Sequence, residues 1–577
     1  MIEQVNEFFM SDGAVLAELF SVLLRYLAPA LAIWILWRCA KPLIRFRKEP
    51  EIWAWMVMPN GTQIPVTHWE NIIGRSKGSD IVIDFSTVSR SHAVLTRYDD
   101  GSWSLTEIGG RGAMTVNREQ TKVCVLKYGD VISLAGVEMM LAPVTAEEIE
   151  EQKLSRTRPA AMVLPAVSLL LLTLFQILIG LRFWTISHSA TVTNVVIAFG
   201  LLIILQWLLF ATLKIMKRSS FEVETLAFYL CTIGLSVVAA RTPGEIIKQF
   251  ICMAAGVVIY LCIGWSLRNL QRAKKVRYIA AIAGILLLAL NLVLGKEING
   301  ARNWIQLGPV SFQPSEIVKL CFIFVGASTM DRIVTRRNLL SFIIYSGVIC
   351  GSLALMNDFG TALIFFVALL VICLLRGGSF ATIALIGTVV ACAVFMLLFI
   401  DLPPHIVRRF SIWGHAWDDP SDLGYQQVRA MMCIASGGLF GLGAGNGWLK
   451  YVAAADTDLV FAFVGEEWGL LIALTLVLAI ITIGFFVFRS CAVGRSSFYT
   501  IGACTAAAVL LTQTILNVFG TMDLLPLTGV TFPFVSNGGS SMLCVWGLLA
   551  FVKAGDTRQN ASFAVRSIDS KEVELYE

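Results

Sequence analysis

Residues 455–489 read ADTDLVFAFVGEEWGLLIALTLVLAIITIGFFVFR. Asp456 and Asp458 stand at the head, a long apolar run follows, and Arg489 closes it. The apolar residues occupy every face of a helix, unlike the single stripe of a soluble amphipathic helix. About 20 apolar residues cross the hydrocarbon of a bilayer, so the run predicts one membrane helix over 460–487. Glu466 and Glu467 lie inside it. Charge at membrane depth is costly and turns toward the bundle interior or a wet cavity. On a continuous helix Glu466 lies roughly 80° round from Asp458 and Glu467 lies opposite.

The rest of the chain repeats this pattern. Of 577 residues, 56% are hydrophobic and only 15% charged, against about 25% charged in a soluble protein. Mean hydropathy is +0.74. This excludes a soluble enzyme, a disordered scaffold and a nucleic-acid binder spread over the chain. The 13 Cys include no Cys-x-x-Cys pair, and most lie in apolar runs, so they read as small hydrophobes. The five His are scattered and give no metal constellation.

Besides 460–487, apolar spans are predicted near 14–38, 160–181, 192–213, 222–240, 249–267, 277–294, 314–330, 339–356, 358–375, 381–400, 499–519 and 540–554. Lys and Arg accumulate in alternate connections: Lys214/Lys217/Arg218, Arg268–Arg277, Arg332–Arg337, Arg376, Arg489/Arg495 and the C-terminal tail. The connection 520–539 has no Lys or Arg. By the positive-inside rule this predicts a multi-pass membrane protein. The N-terminus is expected outside, residues 50–158 and the C-terminus in the cytoplasm, and 295–313 and 401–457 outside.

The division by composition is a membrane anchor and basic linker (1–49), a β-rich domain (50–146), a charged linker (147–158), a membrane domain (159–556) and a tail (557–577). The fold class is a polytopic all-α membrane protein of about 13 transmembrane helices, with an all-β sandwich inserted after the first. Within 50–146, short β-like runs are punctuated by Gly and Asp at sandwich spacing. Gly74-Arg75, Ser89-Arg90-Ser91-His92-Ala93, Asn117 and Gly129-Asp130 follow in order. This segment resembles the forkhead-associated (FHA) domain, a phosphothreonine-binding sandwich. By motif position the resemblance gives phosphopeptide binding to Arg75 and Ser89, with Arg90 beside them and Asn117 on the ligand backbone; His92 braces the loop. A guanidinium and a hydroxyl on adjacent loops make a charge-assisted phosphate clamp. The partner implied is a phosphothreonine protein or Ser/Thr kinase target. Gly112-Ala113-Met114 stands where that family has Asn-Gly-Thr.

Four further blocks fall on the connections predicted outside. NGARNWIQLGP (299–309) leads into FQPSEIVKL (312–320), where Glu316 and Lys319 form an i,i+3 pair at a membrane-helix entrance. Asp358-Phe359-Gly360-Thr361-Ala362, then Tyr425-Gln426-Gln427 with SGGLFGLG (436–443), then PLTG (526–529) with PFVSNGGSS (533–541) follow in order. Over about 275–556 these residues resemble the SEDS family (shape, elongation, division and sporulation proteins). Spans before 275 beyond the family's usual number are an extension.

The resemblance implies a peptidoglycan glycosyltransferase that polymerises lipid II into glycan strands at the outer leaflet, with a class B penicillin-binding protein, a transpeptidase, as partner. Nucleic acid is not a partner. The resemblance gives the catalytic role to Asp458, and chemically it would be the base that takes the acceptor hydroxyl's proton. Arg302, Trp304, Glu316, Lys319, Asp358, Gln426, Glu466, Ser536 and Ser540 are the expected substrate-binding residues. Arg302, Arg408, Arg409 and Lys450 are candidate cations for the diphosphate, and a divalent cation, Mg or Mn, is the cofactor to look for. Gly437–Gly447 lacks the Lys-Ser/Thr of a P-loop and is expected to be a flexible loop over the lipid substrate. The chain departs from the family at Val452-Ala453-Ala454-Ala455-Asp456, where Leu-Pro-Glu-x-His is usual, and at Asn537, where Tyr is usual. The alternatives are a flippase or transporter for lipid-linked precursors, with acids near the midplane on broken helices, and a catalytically inactive FHA-bearing receptor.

Overall fold

The computed structural model describes residues 2–45, 50–98, 101–108, 112–161, 164–186, 190–218, 220–298, 301–307, 310–331, 336–376, 404–558 and 561–564. The span expected at 381–400 lies outside these.

Helix α1 (Ile2–Ile44) leads into eleven short strands. Strands β1 (Ala54–Val57), β2 (Gln63–Val66), β7 (Met114–Val116), β8 (Glu119–Gln120), β10 (Val131–Leu134) and β11 (Val137–Ala142) form one sheet, ordered β2-β1-β11-β10-β7-β8. Strands β3 (Glu70–Gly74), β4 (Ile81–Val82), β5 (Ala93–Arg97), β6 (Trp103–Glu107) and β9 (Val123–Leu126) form the other, ordered β4-β3-β5-β6-β9. Alternate residues of the facing strands, such as Ala54, Met56, Ile73, Trp103, Leu105, Ile132 and Leu134, build a core of their own. The linker is itself helical, as α2 (Ala146–Ala161).

The membrane domain follows as α3 (Pro165–Ile186), α4 (Ala190–Ile215), α5 (Glu222–Arg241), α6 (Ile246–Leu267), α7 (Leu270–Leu294), α8 (Pro314–Asp331), α9 (Arg336–Leu355) and α10 (Phe359–Arg376). Then come α11 (Pro404–Ile412), α12 (Tyr425–Gly437), α13 (Val460–Glu467), α14 (Leu470–Cys491), α15 (Ser497–Thr521) and α16 (Gly539–Ala554). Among the described residues, eight helices are long and apolar enough to cross a membrane, and the shorter apolar helices include those over 340–355, 359–375 and 539–554. Helix α5 is the axis of the bundle: of its membrane-length window, 94% is buried. Helices α1, α3 and α4 pack around α5, α6 and α14.

The structure departs from the expected course of the chain at several points. The span 460–487 is two helices, because Gly469 takes a left-handed φ of 86° between α13 and α14. Asp458 precedes α13, so the helical angles predicted from it to Glu466 and Glu467 do not apply. Segment 295–313 carries a three-stranded antiparallel sheet, β12 (Lys296–Ile298), β13 (Ala301–Leu307) and β14 (Val310–Phe312). Finally, the tail expected from 557 starts inside the bundle: Ala561, Ser562, Phe563 and Ala564 are buried, and Phe563 packs on Tyr260.

At one end of the bundle the sandwich is docked. The Trp69 N–H donates to the Arg495 carbonyl (2.7 Å) and His68 Nδ1 meets the Gly494 carbonyl (2.6 Å), both in the α14–α15 turn. Arg495 pairs with Glu51 (2.7 Å) and donates to the Asp556 and Thr557 carbonyls. Beneath lie further buried pairs, Lys553–Glu224 (2.8 Å) and Arg558 with Asp556 (2.7 Å) and Glu222 (3.2 Å). Arg495, Lys553 and Arg558, three of the basic residues on that side, are therefore matched by acids inside the protein.

Candidate functional site

At the opposite end of the bundle, the segment between α12 and α13 is held from several helices at once. The Asp458 carbonyl accepts from Asn517 Nδ2 (3.0 Å) and Thr521 Oγ1 (3.4 Å), both on α15. Ser536 Oγ donates to the Thr457 carbonyl (2.6 Å). Arg241, the last residue of α5, donates to the Val452 carbonyl (3.0 Å) and ion-pairs with Asp456. Asn537 Nδ2 donates to the same Asp456 carboxylate (2.8 Å).

The Asp458 side chain is half-buried and lies beside Gly529. Burial pushes its carboxyl above the usual carboxylate range; a hydrogen bond from Thr457 and the charge of Arg409 draw it partly back. A carboxylate shifted in that direction is a better proton acceptor near neutral pH.

A second cluster stands next to the first. Asp358 accepts from Asn303 Nδ2 (3.1 Å) and Gln313 Nε2 (3.4 Å), and its Oδ1 caps α10 at the Thr361 N–H (3.1 Å). Arg302, exposed on β13, donates its backbone N–H to the Met356 carbonyl (2.9 Å), and Trp304 lies across from Lys296. Ser540 Oγ accepts the Gln313 N–H (2.9 Å). Glu316 and Lys319 form a buried ion pair on α8 (2.8 Å). The 526–541 segment joins the clusters: Gly529 abuts Asp458, Thr528 abuts Gly360 at the start of α10, Ser536 holds Thr457, and Ser540 holds Gln313.

Several expected substrate contacts therefore have structural partners. Glu466, 1% exposed, accepts the Trp448 and Leu449 N–H groups (2.8 Å each) and holds the loop instead of facing an open site. Ser536 and Ser540 are buried and committed as described. Gln426 is half-buried and donates to the Ala453 carbonyl (3.2 Å). Lys450 Nζ donates to the Gly445 carbonyl (2.7 Å). Gly437–Gly447 is packed, contrary to the flexible loop expected: Leu442 and Gly443 donate to the Glu466 and Glu467 carbonyls. A Cβ on Gly447 would stand 2.7 Å from the Glu466 carboxylate, so glycine serves close approach here. Sequence reasoning missed Arg241. Its signal was an arginine at the end of a span assigned to the side poor in basic residues.

Among the described residues no group of three or more His, Cys, Asp or Glu could hold a metal ion. Of the two nearest acids, Asp456 is taken up by Arg241 and Asn537, which leaves Asp458 as a single carboxylate ligand.

In the sandwich, Arg75 and Arg90 are exposed at the end of β3 and the start of β5. Arg75 N–H donates to the Ser89 carbonyl (2.9 Å) and Ser76 N–H to the Arg90 carbonyl (3.1 Å), so the two loops are tied together. His92, fully buried, accepts the Ser89 N–H through Nδ1 (3.3 Å) and braces the loop. Asn117 is not with them. It stands at the far end of β7 with φ 51°, donating to Asp130 (2.9 Å) and accepting the Val131 N–H (3.0 Å). Hydrogen bonds from the Lys127 N–H and the Asn117 side chain hold the Asp130 carboxyl below the usual range.

A polytopic helical bundle, with an acid-bearing loop site at one end and a β-sandwich at the other, defines a multi-pass membrane protein with a separate recognition domain. The profile of the cell cycle proteins FtsW/RodA/SpoVE matches residues 224–560, and that of the FHA domain matches residues 71–135. The chain belongs to the FtsW/RodA/SpoVE family and carries an FHA domain. It is 32% identical over 341 residues to a protein of Escherichia coli O6:H1 named "Probable peptidoglycan glycosyltransferase FtsW", covering 55% of this chain and 81% of that one. It is 31% identical over 325 residues to the peptidoglycan glycosyltransferase RodA of Mycobacterium tuberculosis H37Rv, covering 53% and 69%. A chain in a solved peptidoglycan synthase complex is 26% identical, with a TM-score of 0.49, covering 58% of this chain and 96% of that one. The family match begins at residue 224, well before the 275 read from motifs, so α5 and α6 belong to it and α1, α3 and α4 are the added helices.

Proposed function

We propose that the protein is a peptidoglycan glycosyltransferase that polymerises lipid II at the outer leaflet, with Asp458 as general base. The observation that carries this is the contrast between the clamped Asp458 main chain and its half-buried carboxylate, raised in pKa, in a chain of this family. In the reaction the acceptor sugar's hydroxyl gives its proton to Asp458 and attacks the anomeric carbon of the donor. The bond from that carbon to the diphosphate breaks, and charge develops on the departing phosphate. Arg409, already acting on Asp458, and the exposed Arg302 supply positive charge there. Asp458 is the carboxylate here that would hold Mg or Mn, and a bound cation would supply charge neutralisation. Asp358, Trp304 and Gln426 shape the acceptor and donor sites in this reading. The Glu316–Lys319 pair supports the entrance of α8.

The proposed topology has the N-terminus outside, the FHA domain and C-terminus in the cytoplasm, and the Asp458 site outside. The alternation of Lys and Arg supports it. The proposed partners are a class B penicillin-binding protein at the membrane and, on Arg75 and Ser89, a cytoplasmic phosphothreonine protein. The exposed arginines on tied loops support the latter. The test is polymerisation of labelled lipid II by the purified full-length protein, with and without a class B penicillin-binding protein. Glycan strands that vanish with Asp458→Asn support the proposal; no product under either condition, with the protein folded, overturns it.

A further inference from the structure

Two of the residues at which the chain departs from the SEDS pattern it resembles, 456 and 537, touch each other. Asn537 Nδ2 donates to Asp456 Oδ2 (2.8 Å), and the Asn537 N–H donates to the Asp456 carbonyl (2.8 Å). The other carboxylate oxygen, Oδ1, is engaged by Arg241 Nη1. Arg241 also donates to the carbonyls of Val452 (3.0 Å) and Lys450 (3.3 Å). Asp456 is 4% exposed, so both its oxygens are occupied and it has no open face toward a substrate.

We infer that Arg241, Asp456 and Asn537 form a bracket that positions Asp458, and that Asp456 is a positioning residue, not a second base. The bracket ties the end of α5 to the entrance of α16, across the loop that carries Asp458. Between them Ala454 sits at φ 57°, a left-handed conformation uncommon outside glycine. Its carbonyl gathers the Thr457 and Asp458 N–H groups (3.2 and 2.9 Å). A turn of this kind persists when its surroundings over-determine it. The bracket fixes the turn from one side, and Asn517 and Thr521 fix the Asp458 carbonyl from the other. No side chain of the bracket needs to touch the reacting atoms. Its effect is to place the Asp458 carboxylate, and errors of about 1 Å in such placement cost up to about 100-fold in rate.

The inference rests on the proposed polymerase reading, so the test has one arm that does not. Hydrogen exchange over 450–459 is compared in the full-length wild type and Asp456→Asn. Faster exchange confined to that segment is expected; unchanged exchange overturns the bracket whatever the activity. The kinetic arm uses Asp456→Asn, Asn537→Asp and the exchanged double variant. Asp456→Asn should lower kcat by about 10–100-fold, leave KM nearly constant and leave the acid limb of the pH profile in place. The double variant, which restores a carboxylate–amide pair, should recover part of the loss, so the two substitutions are non-additive. Additive losses, or an acid limb that disappears with Asp456→Asn while Asp458→Asn retains activity, overturn the inference. If the wild type makes no glycan, the polymerase reading fails, and the exchange arm alone decides the bracket.

Discussion

Asp458 differs from the acids around it in what its oxygens are left to do. Asp456 and Glu466 are saturated by neighbours, whereas Asp458 is fixed through its backbone. Asp458→Asn keeps the shape and removes the base, so polymerisation should fall about 10²–10⁴-fold in a lipid II assay. Because burial raises this carboxyl, activity should rise with pH along an acid limb centred above ordinary carboxylates, and the limb should vanish in Asp458→Asn. The same shift has a stability sign. A carboxyl whose native pKa is raised favours the fold below its unfolded pKa and loses that contribution as pH rises through the native value. At neutral pH, Asp458→Asn should therefore melt no lower than the wild type, a trade between stability and function that melting curves can check.

At the scale of elements, a short helix and a loop replace the single span that hydropathy suggests. Helix α13 ends at Glu467, and Glu466 turns back to take two amides of the 448–449 turn. Glu466→Gln puts an NH₂ group against those donors and should cost about 1–3 kcal/mol, visible as a lower Tm. In the FHA domain, the clamp and Asn117 lie at opposite ends of the strands. Arg75→Ala should abolish binding of phosphothreonine peptides in calorimetry. Asn117→Ala should leave binding intact and destabilise the β7–β8 turn. Loss of binding in Asn117→Ala alone would reverse these roles. This distinction was hidden from the motif, because Asn117 follows the right residues in order but on the wrong end of β7.

Across the whole molecule, the FHA domain is seated on the bundle by the end opposite its clamp. Trp69 packs against Tyr499 (ring centroids 5.9 Å apart) at the start of α15, whose other end holds the Asp458 carbonyl. Trp69→Ala should weaken this seating by about 2 kcal/mol or more. A cysteine pair at 68 and 494 would then cross-link less efficiently than in the otherwise wild-type chain. Topology has its own check: a cysteine at Ser102 should resist membrane-impermeant reagents in intact cells, and labelling there would invert the assignment.

The sequence by itself determined the membrane class and the order of the FHA and membrane segments, and it singled out Asp458 as the candidate acid. These follow from hydropathy, charge alternation and short motifs, all of which are local in the chain. The break at Gly469 was not legible, because an apolar run reads the same whether its backbone is continuous or turned by one left-handed residue. Nor were the commitments of Glu466, Asp456 and Asn117. A carboxylate or amide is free or occupied according to what lies across space from it. Arg241 and Asp456 are 215 residues apart, and Asn537 is a further 81 beyond. Only the packing of α5, α15 and α16 brings these groups within bonding distance and occupies Asp456 while the Asp458 carboxylate stays outside the bracket.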